Sequence, residues 1–120
     1  MENVAVVGAS NNEERYSNRA MKLLEKKGHN PIPVAPARDQ ILGKKAYPNL
    51  AAVPDKIDTV TVYVGVDRQS QVLDEAVRIK PRRMIFNPGT ENPGEYDRLK
   101  RAGIEVIEAC TLVLLYSGQF

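Results

Sequence analysis

Short apolar runs that end in a turn residue recur along this chain, and helical segments fall between them. Val4 to Val7 is such a run, closed by Gly8. Ile32 to Val34 is a second, Asp58 to Val64 a third, Arg83 to Phe86 a fourth and Ile104 to Ile107 a fifth. Most are dominated by β-branched residues, which marks buried strands. In the third, Val60, Val62 and Val64 alternate with Thr59, Thr61 and Tyr63. Between the first two runs, Ser17 is placed to cap a helix reaching Lys27, with Ala20, Met21, Leu23 and Leu24 on its buried side and Gly28 as its stop. After the third, Asp67 is placed to cap a helix to Ile79, which Pro81 ends. After the fourth, Asn87-Pro88-Gly89 makes a turn, and Pro93 opens a helix to Ala102 that Gly103 stops. Strands alternating with helices predict an α/β fold: a doubly wound parallel sheet, covered on both faces by right-handed crossovers.

Two stretches are less regular. Pro31, Pro33 and Pro36 flank and interrupt the second run, so it is expected to be short and edge-like. Pro36 to Lys56 carries no sustained helical period, and a structureless loop of that length is unusual in a compact domain. Lys44 to Tyr47 reads as a degenerate edge strand and Asn49 to Val53 as one helical turn. The tail from Cys110 to Leu115 is apolar and short.

Composition bounds the function. The 120 residues suit one domain over 1–120. A single Cys excludes an internal disulfide, and one His with one Cys argues against a zinc site. No apolar stretch is long enough to span a membrane, and the first residues lack signal-peptide design, so a cytoplasmic location is expected. The net charge of +2 comes from 17 basic and 15 acidic residues. The basic groups at Arg78 to Arg83 and Arg98 to Arg101 lack interleaved aromatics, which argues against nucleic acid.

In doubly wound sheets ligands bind beyond the carboxyl ends of the strands. Gly8, Ala9, Ser10 and Asn11 follow the first strand. A glycine and small residues there let backbone amides approach a phosphate at a helix N-terminus. Only the first glycine of a dinucleotide fingerprint is present, so a plain strand-to-helix turn is the competing reading. The second strand runs into Val34-Ala35-Pro36-Ala37-Arg38, where an NAD-binding domain wants an acid for the ribose hydroxyl. Arg38 suits a phosphorylated ribose instead, as in NADP or coenzyme A. Asn87, Pro88, Gly89 and Thr90 form a further turn able to bring amides to a ligand. His29 lies past a helix end, away from this rim, so no Ser-His-Asp set can be assembled. Cys110 reads first as a small buried hydrophobe. No catalytic constellation and no metal-ligand cluster is apparent.

As a set, GAS at Gly8 to Ser10, PVAP at Pro33 to Pro36, ILGKKAYPNL at Ile41 to Leu50, FNPGTEN at Phe86 to Asn92 and EACTLVLL at Glu108 to Leu115 resemble the small stand-alone coenzyme A-binding proteins. The chain is also similar to the N-terminal domain of the succinyl-CoA synthetase α subunit. The resemblance implies a Rossmann-like sheet in which Ile41 to Leu50 supplies a short third strand and the strand from Asp58 lies beside the first. It implies phosphate contacts at Gly8 to Asn11, a nucleotide contact at Arg38, and Val64, Gly65 and Val66 bordering adenine and pantetheine. The Pro88-Gly89 turn would complete the site. Two departures stand out: Ala35 where the family more often has Asn, and Val64 where many members have Arg, with Arg68 a turn further on. The synthetase's phosphorylated histidine has no counterpart, so thioester formation is not implied.

The expected function is therefore non-catalytic binding of coenzyme A or an acyl-CoA, a small-molecule ligand. Two alternatives stay open: an NADP-binding sensor or small oxidoreductase, and an interaction module with a vestigial site that docks on a protein partner through Leu112 to Leu115.

Overall fold

The computed structural model describes all of residues 1–120. The chain order is β1 (Asn3–Val7), α1 (Tyr16–Lys26), β2 (Asn30–Val34), β3 (Gln40–Ile41), β4 (Lys44–Lys45), β5 (Thr59–Val62), α2 (Ser70–Ile79), β6 (Arg83–Phe86), α3 (Tyr96–Arg101), β7 (Glu105–Glu108) and α4 (Thr111–Tyr116). Single 3-10 turns lie at Leu50–Ala52, Val66–Arg68 and Pro93–Glu95. Five strands form one parallel sheet in the order β2-β1-β5-β6-β7. The chain thus leaves β1 in one direction to reach β2 and returns to place β5 on the other side. The switch point lies between β1 and β5, where the family resemblance implied it.

Strand alternation sorts the core into two layers. Ala5, Val7, Val60, Val62, Met84 and Phe86 face Leu73, Ala76 and Leu99 of α2 and α3. Val4 and Val6 face Met21, Leu23 and Leu24 of α1 and Leu115 of α4. Burying each large apolar side chain of this kind contributes roughly 1.5–3 kcal/mol. β2 is an edge strand, and its register explains its prolines. Gly8 N–H donates to Val34 O and Asn30 N–H to Glu2 O, so even-numbered positions bond inward. Pro31 and Pro33, which have no N–H, occupy the outward positions, where Pro33 O accepts from Tyr47 N–H.

Several local expectations are corrected. Ser17 is not the cap of α1; Arg15 precedes the helix in extended conformation, and Ser17 lies buried inside the first turn. Asp67 sits in a 3-10 turn and Gln69 opens α2. The segment expected to hold a third strand folds instead as the antiparallel pair β3-β4, joined to the sheet by one parallel bridge, Val34 to Tyr47. The C-terminal apolar tail is a helix, α4. Its first amide, Thr111 N–H, donates to Asn87 Oδ1 at 2.8 Å, and Thr111 Oγ1 bonds Thr61 Oγ1 at 2.8 Å. Leu115 is buried against α1, which leaves Val113 and Tyr116 exposed.

The amino end of the sheet is closed by a polar network. Arg83 is buried; it donates to Thr59 Oγ1 (2.8 Å), Glu2 Oε2 (3.2 Å) and Phe120 O (3.2 Å), and its guanidinium lies 4.3 Å from the Phe120 ring centre. Arg82 also pairs with Glu2, at 2.7 Å. Glu2 N–H donates to His29 Nδ1 at 3.1 Å, and the His29 ring lies 5.0 Å from that of Phe120. No helix is long and apolar enough to cross a membrane.

Candidate functional site

At the opposite, carboxyl end the chain opens. β1 ends at Val7 and turns through Gly8 at φ +91°. A Cβ at Gly8 would lie 3.0 Å from Val64 Cγ1 and 3.2 Å from the Tyr63 carbonyl carbon. Glycine is thus required both by conformation and by the close approach of the β5 loop. The loop then folds on its own side chains: Ser10 Oγ accepts from Asn12 N–H, Asn12 Oδ1 from Glu14 N–H, and Asn18 Nδ2 donates to Ser10 O. The amides of Ala9, Ser10 and Asn11 find no acceptor within the chain, nor do those of Tyr16 and Ser17 at the start of α1. α1 has no side-chain cap and no acid in its first turn. Unbonded amides and an uncompensated positive helix end are the ingredients of an anion site.

A cleft of about 530 Å³ lies in front of this loop. Gly8, Ala9 and Ser10 form one side, with Arg15, Tyr16 and Ser17 at the head of α1. Val34 to Arg38 and Pro48 to Leu50 form a second side. Val64, Arg68 of the 3-10 turn, and Gln71, Val72 and Glu75 of α2 form a third, with Tyr63, Pro88 and Thr90 completing the boundary. That volume lies in the range of small-molecule sites. Arg15, Arg38 and Arg68 are exposed, and none belongs to a salt bridge. Against these three cations stands one acid, Glu75. The cleft is an electropositive field for an anionic ligand. The Tyr63 hydroxyl is buried near Thr61 and Thr111, outside hydrogen-bond geometry. Burial pushes it up to about 12, so it stays a neutral phenol.

Of the residues predicted from strand ends, Gly8, Ala9, Ser10, Ala35, Pro36, Arg38, Val64, Pro88 and Thr90 come together around the cleft. The others are turned to other uses. Asn11 clamps the β3-β4 hairpin: its Nδ2 donates to Gln40 O and its Oδ1 accepts from Leu42 N–H. Gly65 precedes a 3-10 turn outside the cleft, and Val66 is exposed on that turn. Asn87 is a buried strut; its Nδ2 donates to Thr61 Oγ1 and Val62 O while its Oδ1 holds α4. The Gly89 amide is taken by Glu91. Gln69, fully buried, ties the two loops by donating to Val64 O and Thr90 O.

Arg15, Gln71 and Glu75 were not among the expected site residues, and Arg68 was noted only as an arginine one turn beyond Val64. None follows a strand directly. Arg68, Gln71, Val72 and Glu75 share a helical spacing, and that stripe was the available signal. Arg68 reaches the cleft from one turn beyond Val64. His29 sits at the far end of the sheet, and Cys110, half-buried ahead of α4, lies outside the cleft.

A free-amide loop, a helix head and an arginine beyond the second strand, converging at a switch point, define a Rossmann-like nucleotide-binding domain. Comparison with known proteins narrows the class. Residues 2–116 match the CoA binding domain family, and the chain belongs to that family. It is 32% identical over 104 residues to the uncharacterized protein YneT of Bacillus subtilis, covering 87% of this chain and 77% of that one. It is 29% identical over 107 residues to the ADP-forming acetate–CoA ligase I of Archaeoglobus fulgidus, covering 88% of this chain but only 16% of the ligase. A crystal structure of an uncharacterized protein superposes with a TM-score of 0.92 at 38% identity, covering 100% of this chain and 98% of the other.

Proposed function

We propose that this chain binds coenzyme A or an acyl-CoA in the cytoplasm and carries out no chemistry on it alone. The observation that carries the reading is the joint placement of unbonded loop amides, the α1 head and three unpaired arginines in one cleft of a CoA-binding family member. In this reading Ala9, Ser10 and the first turn of α1 hold the pyrophosphate, and Arg38 holds the ribose phosphate. Arg15 and Arg68 add long-range attraction. The residues fit the ligand's charge: its phosphates meet the amides and the three arginines. Ligation belongs to the much longer A. fulgidus enzyme, of which this chain matches a small part.

Calorimetric titration with coenzyme A and dephospho-coenzyme A tests the proposal. Arg38→Ala should weaken coenzyme A by roughly 1.5–3 kcal/mol, the scale of a charged hydrogen bond. Dephospho-coenzyme A should bind both proteins alike. Absence of heat and of any thermal shift with millimolar coenzyme A at low salt would end the reading. Arg38 fits the ribose phosphate of NADP equally well, and tighter binding of NADP than of coenzyme A would transfer the site to that ligand.

A further inference from the structure

The single acid of the cleft has an environment that the phosphate contacts do not explain. Glu75 is 5% exposed. Its Oε1 accepts from the Leu50 amide at 3.1 Å and its Oε2 from Gln71 Nε2 at 3.3 Å. No lysine or arginine pairs with it, although three arginines line the same cleft. A carboxylate offers about four acceptor positions. A buried charge is tolerated when donors fill them. Two neutral donors, one of them long, leave about half that capacity unfilled on a side chain that lines the cleft. Beside the carboxylate the walls are apolar, formed by Leu50 and Val72.

We propose that Glu75 is a specificity-determining residue that accepts a hydrogen bond from the exocyclic amine of a purine seated between these walls. The inference rests on the coenzyme A reading above. A phosphate or carboxylate at this position would meet like charge and is refused. A ribose hydroxyl would satisfy the oxygens but not the apolar walls. An aromatic amine satisfies both, since its ring packs on the partly exposed Val72 while its N–H fills the unfilled acceptor. The cleft is then divided, with arginines and amides for the phosphates and one carboxylate for the base.

The test compares coenzyme A with its hypoxanthine analogue, in which a carbonyl replaces the amine, by calorimetry on wild type and Glu75→Gln. Wild type should prefer the adenine form by at least about tenfold, the scale of one charge-assisted hydrogen bond. Gln keeps an acceptor for Leu50 and adds a donor for the carbonyl, so the preference should vanish or invert. Equal affinity of wild type for the two ligands overturns the inference without the variant, and so does an unchanged preference in Glu75→Gln. Failure of wild type to bind coenzyme A at all would remove the underlying reading as well. Binding without discrimination would remove only the role of Glu75.

Discussion

The two ends of the sheet use the same residue type to opposite purposes. At the amino end, Arg83 is buried against Glu2, Thr59 and Phe120, and Arg82 pairs with Glu2 from the surface. At the carboxyl end, Arg15, Arg38 and Arg68 have no acidic partner. The amides differ in the same way: those entering the strands are bonded, while those of Ala9 and Ser10 are not. The difference teaches that charge here has two separable roles. One end closes the fold, and the other leaves its donors unbonded, where we propose that an anion binds. Near-neutral net charge conceals both.

Variants that act on one end alone can break this comparison. The largest effect is expected from Arg83→Ala, which removes a buried guanidinium from Thr59, Glu2 and Phe120 and leaves Arg82 as the remaining cation on Glu2. Unfolding in urea should show a loss of about 2–4 kcal/mol from the lost buried hydrogen bonds and packing. Coenzyme A affinity of the folded fraction should not change; a drop as large as that of Arg38→Ala would mean that the two ends are coupled. Gly8→Ala comes next and strikes the open end. Its positive φ and the contacts with Val64 and Tyr63 predict a stability loss of about 1–3 kcal/mol. Affinity should fall by about tenfold or more as the phosphate amides shift. A variant that folds less well but binds as before would remove the loop from the site.

The smallest effect is a pH dependence at the closed end. Burial lowers the pKa of His29, the Glu2 carboxylate opposes this, and the Met1 amino group and Arg83 reinforce it. A lowered folded value means the unfolded chain binds the proton more readily. The contribution is complete above about pH 6.5 and is lost as pH falls through the folded value. Solvent screening keeps it small. Urea titrations of wild type and His29→Gln between neutral and mildly acidic pH should converge as the pH drops. Parallel curves would show that the imidazole contributes nothing.

How much of this was legible in the sequence follows from where each interaction is local. The strand runs were readable because β-branched residues and turn signals are neighbours in the chain. Ala9, Ser10 and Arg38 were readable because the switch-point rule converts a strand end into a location. α4 was not, because its first turn is capped from Asn87, a residue 24 positions away. The same bond took Asn87 out of the site and made it a strut. Arg15, Arg68 and Glu75 escaped because no strand end places them: Arg15 precedes α1, Arg68 lies in the 3-10 turn before α2, and Glu75 lies within α2.

The prolines of β2 have one more consequence. An outer strand with unbonded N–H groups can recruit a strand from a second molecule, and crowded or partly folded chains clump by that route. Here Pro31 and Pro33 remove the donors on that side, and the Ala35 amide is taken by Tyr47. Beyond the single Tyr47 bridge this edge offers few free donors, which disfavours recruitment of a further strand.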